Sequence, residues 1–445
     1  MINVTKLYCG IDTTGDPLRY GEKRGPPHGA RHPTEAGTPP GSGVGEGRVP
    51  AHSALRGRPD SGRFRSAETR SVRPTEPPPH DAPPSAKARK PIVVWTMGRR
   101  CNLHCVHCYA DSADRAYPGE LTADEAVRML EDLAQFQIPA LLLSGGEPLL
   151  QPGFYELAAY AKRLGLRLTL STNGTLINRD VATWIKETGF SYVGISFDGL
   201  GPVNDRFRGR RGAFAEALSG VRHLRAAGQK VGLRFTLTRR NFWALPEIFE
   251  LVEREGIHRV CFYHLVYSGR GSRFATDDLT HAETRQSLDA ILAWTRSLAA
   301  RRMPVEVLTV DNHVDGVYLY AKLVAEASKL ADATRRLLEW NGGGAYSSGV
   351  GIANIDSYGN VHPDQFWQHE TLGNVRQRPF SQIWSDTSHP LLAGLRNRLP
   401  LLKGRCATCR WKTLCGGSFR VRALQAYGDP WAQDPACYLT HEEIA

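Results

Sequence analysis

The stretch that decides the fold is Pro91-Ile92-Val93-Val94-Trp95-Thr96-Met97-Gly98-Arg99-Arg100-Cys101-Asn102-Leu103-His104-Cys105-Val106-His107-Cys108. It begins with an apolar run typical of a buried parallel strand. The loop that follows carries three cysteines: Cys101, Cys105 and Cys108. A structural zinc site normally closes with four ligands, whereas three thiolates on one short loop fit a 4Fe–4S cube with one iron left open to a small molecule. Zinc completed by His104 or His107 is the alternative at this loop.

The pattern of an apolar run followed by a helix is repeated along the chain. Five more strands are predicted at Ala140–Ser144, Arg167–Ser171, Tyr192–Ser196, Val231–Leu237 and Arg259–Leu265. Helical patterns lie at 121–136 (with Thr122 and Glu125 as a capping box), 153–164, 179–188, 213–227 and 243–255. The alternation predicts an α/β fold whose parallel sheet curls, through right-handed crossovers, into a partial (β/α)6 TIM-like barrel. Further predictions are helices at 280–301 and 314–338 and a hairpin over 352–362.

Polar motifs follow three of these strands directly. They are Gly145-Gly146-Glu147-Pro148, Ser171-Thr172-Asn173-Gly174 and Ser196-Phe197-Asp198-Gly199, and Arg208 comes shortly after the last of them. Each alone is compatible with ordinary turn chemistry. Because active sites on parallel sheets form at the carboxyl ends of the strands, their shared position predicts one site.

The cysteine spacing, Tyr109 directly after Cys108 and the strand-end motifs together resemble the radical SAM superfamily over roughly residues 91–270. The resemblance implies a 4Fe–4S cluster that binds S-adenosylmethionine (SAM) at its open iron and cleaves it to a 5′-deoxyadenosyl radical. It also implies contacts to SAM from a set of nine residues: Tyr109, Gly145, Gly146, Glu147, Ser171, Asn173, Ser196, Asp198 and Arg208. Asn204 stands where many relatives have histidine, so we assign it no role.

A second group of cysteines lies near the end of the chain: Cys406, Cys409, Cys415 and Cys437. Four thiolates suit either a structural zinc ion or a second 4Fe–4S cluster, and spacing alone leaves both open. The arrangement resembles a shortened SPASM/twitch-like C-terminal domain of radical SAM enzymes. That resemblance implies one auxiliary 4Fe–4S cluster.

The first 90 residues differ in composition from the rest. They hold half of the 28 prolines and 15 Lys or Arg against 9 Asp or Glu, so they carry over half of the net charge of +11. Such a segment cannot bury enough surface to fold, and we predict a disordered extension over 1–90. The remaining predictions are a barrel over 91–310, a helical connector over 311–345 and a SPASM-like domain over 346–445. Nucleic acid binding is not favoured, since the charge is concentrated in the extension.

The chain lacks a signal-peptide pattern and any apolar run of roughly 20 residues, so we expect a cytoplasmic protein with no membrane partner. Segments such as Asp356–Trp367, Leu372–Arg376 and Pro379–Trp384 resemble the NirJ family of radical SAM proteins, which acts in heme d1 biosynthesis. That resemblance implies a tetrapyrrole substrate, didecarboxysiroheme, from which propionate side chains are removed. It also implies an electron donor such as flavodoxin or ferredoxin, and other heme d1 pathway proteins as partners.

A tetrapyrrole carries carboxylates, an apolar face and a metal, and the chain offers candidate groups for each. The arginines are Arg208, Arg210, Arg211, Arg270 and Arg376. Candidates for stacking are Phe366 and Trp367, and candidates for an iron ligand are His264, His362 and His369. Competing interpretations are a radical SAM maturase of a ribosomal peptide, a related heme-forming decarboxylase, and a non-catalytic zinc or nucleic-acid protein.

Overall fold

The computed structural model describes residues 1–12, 90–303, 305–340 and 343–445, and in this part of the chain a single sheet of eleven strands forms the centre of the fold. The strands are β1 (Ile2–Asn3), β2 (Ile92–Thr96), β3 (Leu141–Ser144), β4 (Leu168–Thr172), β5 (Tyr192–Ser196), β6 (Val231–Leu237), β7 (Arg259–His264), β8 (Glu306–Val310), β9 (Ile352–Ile355), β10 (Asn360–His362) and β11 (Gly373–Asn374). Their spatial order is β1-β8-β7-β6-β5-β4-β3-β2-β9-β10-β11.

Helices connect the strands and cover the sheet. They are α1 (Val4–Cys9), α2 (Ala123–Gln135), α3 (Phe154–Arg163), α4 (Arg179–Thr188), α5 (Pro202–Arg208), α6 (Ala213–Ala226), α7 (Leu245–Arg254), α8 (His281–Ala300), α9 (Val314–Ala325), α10 (Ala331–Trp340), α11 (Phe380–Ser385), α12 (Pro390–Arg396), α13 (Arg405–Thr408), α14 (Lys412–Cys415), α15 (Arg420–Tyr427) and α16 (His441–Ile444). Thr122 and Glu125 form the predicted capping box of α2. Within the described segments, no helix is both long enough and apolar enough to cross a membrane.

The six predicted strands are confirmed as β2 to β7, which run parallel and pair in chain order. The sheet extends further than predicted, because β8 adds a parallel strand beside β7. The single helix predicted over 314–338 is wrong. Ala327 adopts a positive φ of 49°, and the Ser328 amide bonds back to the Leu323 carbonyl, so α9 closes before α10 begins.

The N-terminal residues that the structure describes are ordered, so the predicted disorder is wrong for residues 1–12. β1 pairs with β8 in an antiparallel register, with Ile2 opposite Thr309. In α1, Val4, Leu7 and Tyr8 are buried, and this i, i+3, i+4 spacing gives the short helix an apolar stripe to pack against the rest of the fold. The expectation for residues 13–89 lies outside the described part of the chain.

The predicted hairpin over 352–362 is confirmed as β9 and β10. β9 also pairs in parallel with β2, the strand that leads into the cysteine loop, and the Asn354 side-chain amide donates to the Val94 carbonyl at 2.9 Å. The sheet thus runs across the predicted boundary between 345 and 346. It brings the C-terminal segment beside the first cysteine group, while the predicted division into domains stays a prediction.

Candidate cluster and cofactor site

The loop that carries the first cysteine group is held by backbone segments that follow two other strands. After β5, the carbonyls of Arg208 and Phe207 accept the amides of His104 and Val106 at 3.1 and 2.9 Å. After β7, Arg270 donates its amide to the Cys108 carbonyl at 3.0 Å and its side-chain Nε to the Cys105 carbonyl at 2.7 Å. Three strand ends therefore fix the positions of the cysteine side chains.

The glycines after β3 bring that strand end against the start of the cysteine loop. The amide of Gly146 donates to the Gly98 carbonyl at 2.8 Å. A Cβ atom on Gly146 would collide with the Arg100 carbonyl, and one on Gly145, whose φ is +153°, would lie 2.6 Å from the Gly98 carbonyl. Only glycine permits this backbone approach at both positions.

Glu147 connects the Gly145–Pro148 motif to the Ser171–Gly174 motif. Its carboxylate is fully buried and accepts from the Thr172 hydroxyl at 2.7 Å, the Asn173 amide at 2.8 Å and the Leu149 amide at 3.3 Å. Burial raises the pKa of Glu147 to about 7, and the three donors oppose that shift. The carboxylate therefore positions the turn after β4, and the contact with SAM expected of Glu147 stays a prediction.

Glu147→Gln is expected to destabilise the protein by about 1–3 kcal/mol, because an amide NH2 would face the buried Asn173 amide and leave that donor unsatisfied. Urea unfolding measures the loss. Glu131→Gln is the matched control, since Glu131 is exposed and accepts only from the Tyr160 hydroxyl. Equal stability of the two variants would contradict the positioning role of Glu147.

Asn173 reaches the cysteine loop itself. Its amide nitrogen donates to Asn102 Oδ1 at 2.8 Å and lies 3.9 Å from Cys101 Sγ. Its amide oxygen accepts from the Thr175 amide at 2.9 Å, which fixes the side chain in this orientation. The Ser171–Gly174 motif therefore supports the cysteine loop from the end of β4.

Ser144, Ser171, Ser196 and Arg234 lie on one face of the sheet, which we call the inner face. Tyr109 Oη lies 3.1 Å from Ser144 Oγ, and Ser171 accepts from the Arg234 guanidinium. Arg234 also stacks on Tyr263 with 4.8 Å between the guanidinium carbon and the ring centroid. Ser196 pairs in register with Arg234 across β5 and β6. The predicted Tyr109, Ser171 and Ser196 are thus brought to one inner face, and the arginine that joins them was missed.

Arg208 and Asp198 form a buried ion pair beside the cysteines. The distance from Arg208 Nη2 to Asp198 Oδ2 is 2.7 Å, and Arg208 Nη1 lies 3.7 Å from Cys105 Sγ. Asp198 Oδ2 also lies 3.4 Å from His107 Nε2, and burial lowers the pKa of that ring. Burial alone would lower the pKa of Arg208, but Asp198 and the Cys105 sulfur hold it above its usual value. The cation beside Cys105, Arg208, therefore already has its charge balanced by the carboxylate of Asp198.

Sequence reasoning missed the roles of Arg234 and Arg270. A charged residue within the apolar strand Val231–Leu237 was a signal for the first, because arginine is rarely buried without a specific partner. Of the other proposed carboxylate ligands, Arg376 bonds Glu125 and backbone carbonyls, and Arg210 pairs with Glu216. Arg211 is exposed and makes no ion pair with the described residues.

The proposed histidine ligands and aromatic platforms are mostly engaged by the protein. His264 is buried and its Nε2 lies 2.9 Å from Asp315 Oδ2, and His362 is buried against the Glu370 carbonyl. Trp367 is fully buried, and Phe366 packs edge-on against Tyr109 with ring centroids 5.4 Å apart. His369 is exposed, and its Nδ1 lies 3.3 Å from Gln425 Nε2, so of the three histidines it offers the most accessible ring.

The four cysteines of the second group line one small cavity near α13, α14 and α16. Burial raises the pKa of the Cys415 thiol, and that of Cys437 to about 11. Among the residues that the structure describes, no three His, Cys, Asp or Glu side chains converge so as to hold a single metal ion. Four thiols around one cavity fit either a zinc ion or a 4Fe–4S cluster, so the alternatives that the spacing left open remain open here.

The two histidines of the first cysteine loop are placed differently. His107 directs Nε2 at Asp198, and His104 is exposed. Burial raises the pKa of Cys101 to about 12. Three buried or half-buried thiols on one loop fit the open-cornered cluster that the sequence predicts.

Comparison with known proteins agrees with this geometry. The sequence profile of the radical SAM superfamily matches residues 95–252. The Fe-coproporphyrin III synthase of Methanosarcina barkeri is 46% identical over 447 residues, covering 100% of this chain and 99% of that protein. The pre-heme d1 synthase of Dinoroseobacter shibae is 48% identical over 369 residues, covering 82% of this chain and 90% of its own. The structure of Streptococcus suis SuiB bound to its precursor peptide SuiA has the same fold (TM-score 0.62, 19% identity, covering 79% of this chain and 76% of that one).

Proposed function

The chain belongs to the radical SAM superfamily, and from this premise we propose that it modifies a tetrapyrrole by removing propionate side chains of didecarboxysiroheme in heme d1 biosynthesis. The observation that carries the proposal is the 48% identity to a pre-heme d1 synthase over 82% of the chain. The reaction is proposed to take place in the cytoplasm. Cys101, Cys105 and Cys108 would hold the cluster that binds SAM, and the four C-terminal cysteines an auxiliary cluster.

A cluster held by Cys101, Cys105 and Cys108 would supply the electron for reductive cleavage of SAM. The chain's own residues position the reactants and exclude water. The Arg208–Asp198 pair orients the loop beside Cys105. Tyr109 and Ser144 close the inner face next to Cys108, and Phe366 packs against the Tyr109 ring.

The substrate would lie over the inner face of the sheet, where Arg234 supplies a half-buried cation. Its guanidinium is held by Ser171 and by the Tyr263 ring, and no carboxylate among the described residues pairs with it. Arginine binds carboxylates with two parallel hydrogen bonds, so Arg234 suits one side-chain carboxylate of the macrocycle. His369, which is exposed, suits a ligand to the iron of the substrate.

An electron donor of the flavodoxin or ferredoxin type would approach where the cysteine loop reaches the surface. His104 lies between two cysteine ligands and is exposed. Arg206 and Arg211 are exposed beside it, on the segment whose backbone binds the His104 amide. Neither arginine has an ion-pair partner among the described residues. Two open positive charges next to the cluster loop are complementary to an acidic carrier.

The test is anaerobic reconstitution with iron and sulfide, followed by incubation with reductant, SAM and didecarboxysiroheme. Release of 5′-deoxyadenosine should rise when the tetrapyrrole is added, and mass spectrometry should show loss of propionate groups. Cleavage of SAM that does not respond to the tetrapyrrole would contradict the proposal. A precursor peptide in place of the tetrapyrrole tests the maturase interpretation, for which the shared fold of SuiB is the support.

Fe-coproporphyrin III synthase is the second candidate, because that relative aligns over 100% of this chain, including the N-terminal residues that form β1 and α1. The same incubation separates the two. A coproporphyrin retains its propionate side chains, so a product with its propionates intact would favour this second function. A product that has lost them would favour the first.

A further inference from the structure

Three arginine side chains are buried together behind the second cysteine group: Arg398, Arg420 and Arg422. Arg398 donates to the Gly344 carbonyl at 2.8 Å, and Gly344 packs directly on the carbonyl of Cys415. Arg420 donates to the carbonyl of Gly417, a residue that lines the cavity of the four cysteines. Arg398 therefore contacts backbone that packs on Cys415, and Arg420 contacts backbone two residues after Cys415.

Only one of the three arginines forms an ion pair with a described residue. Arg422 Nη1 lies 3.0 Å from Asp434 Oδ2. Arg398 donates only to the carbonyls of Leu395, Gly344 and Ser348, and Arg420 only to those of Gly417, Pro430 and Ala432. Buried carboxylates act on these arginines at longer range. Asp364, which acts on Arg398, is bonded to the Ser348 hydroxyl and the Phe366 amide, and Asp434, which acts on Arg420, is already paired with Arg422.

The three buried arginines outnumber Asp364 and Asp434, and excess buried charge is costly, so an anionic partner would stabilise this region. A 4Fe–4S cluster with four thiolate ligands is such a partner. It is doubly negative when oxidised and triply negative when reduced, and nearby positive charge favours the reduced form. The first cysteine group differs, because Arg208, the buried cation beside it, is already balanced by Asp198.

We propose that Arg398 and Arg420 balance the charge of the auxiliary cluster and raise its reduction potential above that of the SAM-cleaving cluster, which makes the auxiliary cluster the electron acceptor of the pair. This inference rests on the proposed function, which places a cluster at the second cysteine group. Arg405 and Lys412 also line the cavity, but they are half-buried and solvent screens them more strongly.

The experiment is a potentiometric titration of the anaerobically reconstituted full chain, followed by electron paramagnetic resonance. A variant lacking Cys101, Cys105 and Cys108 isolates the auxiliary cluster. Arg398→Gln and Arg420→Gln are each expected to change its ratio of oxidised to reduced form about tenfold at fixed potential, which is ~59 mV downward for one electron. Arg398→Lys and Arg420→Lys keep the charge and should keep the potential. Arg410→Gln is the control, because Arg410 is next to Cys409 but exposed.

The outcomes separate the inference from the proposed function. If the variant lacking the first three cysteines binds no iron, the auxiliary cluster and the inference fail together. If it binds iron and both glutamine variants keep the wild-type potential, the inference alone is overturned. If the glutamine variants fail to hold a cluster, the two potentials of the wild-type protein decide, and an auxiliary potential at or below that of the SAM-cleaving cluster overturns the inference.

Discussion

Cys105→Ala is expected to reduce SAM cleavage to background and to remove about four iron atoms per chain, because a cube bound by only two cysteines loses its protein anchor. The variant should still fold. The backbone of Cys105 is held through its carbonyl by Arg270, and alanine keeps that bond. Iron analysis and release of 5′-deoxyadenosine after anaerobic reconstitution measure the two effects. SAM cleavage at the wild-type rate by this variant would exclude the first cysteine group as the reactive centre.

Cys261→Ala is the matched control for that experiment. Cys261 is a buried cysteine on β7, outside both groups, and packs with Leu308 and Val310 on the inner face of the sheet. Its replacement removes a buried thiol without touching either cysteine loop. We expect full iron content and full SAM cleavage, so a loss in Cys105→Ala alone would be specific to the cluster ligand.

Much of the fold was predictable from the sequence because the evidence for each parallel strand is local. Tyr192–Ser196 and Val231–Leu237 have the bounds that their apolar runs indicate, since Gly, Asp and charged residues delimit them. The strand-end motifs were predictable for the same reason. Each motif directly follows its strand, so the parallel topology alone brings them to one edge of the sheet.

What could not be predicted depends on residues far apart in the chain. β9 pairs with β2 across about 260 positions, and no local pattern at Ile352–Ile355 specifies that partner. The short β1 pairs with β8 across about 300 positions. It was not predicted, because the proline-rich and charged residues that follow it indicated disorder for the whole segment 1–90. Arg270 was expected to face a substrate, but it bonds the Cys105 carbonyl and Asp111, which only the folded chain brings within reach.

The ion pair between Asp198 and Arg208 shows the same limit of sequence reasoning and leads to the second large expected effect. Both residues were predicted to contact SAM separately, yet they bind each other in a buried position. Asp198→Asn would leave the Arg208 charge buried beside Cys105 without an anion. Removal of one partner of a buried pair typically costs about 3–5 kcal/mol, so we expect a loss of that size in the free energy of unfolding.

A double-mutant cycle separates the pair from its surroundings. In Asp198→Asn combined with Arg208→Met, no uncompensated charge remains, so most of the loss should be recovered. Urea unfolding of the four proteins, followed by tryptophan fluorescence under anaerobic conditions, gives the coupling energy.

Asp111→Asn is the control: Asp111 pairs with Arg270 at 2.9 Å but is exposed, so its loss should cost no more than about 1 kcal/mol. Strictly additive effects of the two substitutions would mean that Arg208 is balanced by some group other than Asp198, and the cation beside Cys105 would then be free to act on a ligand.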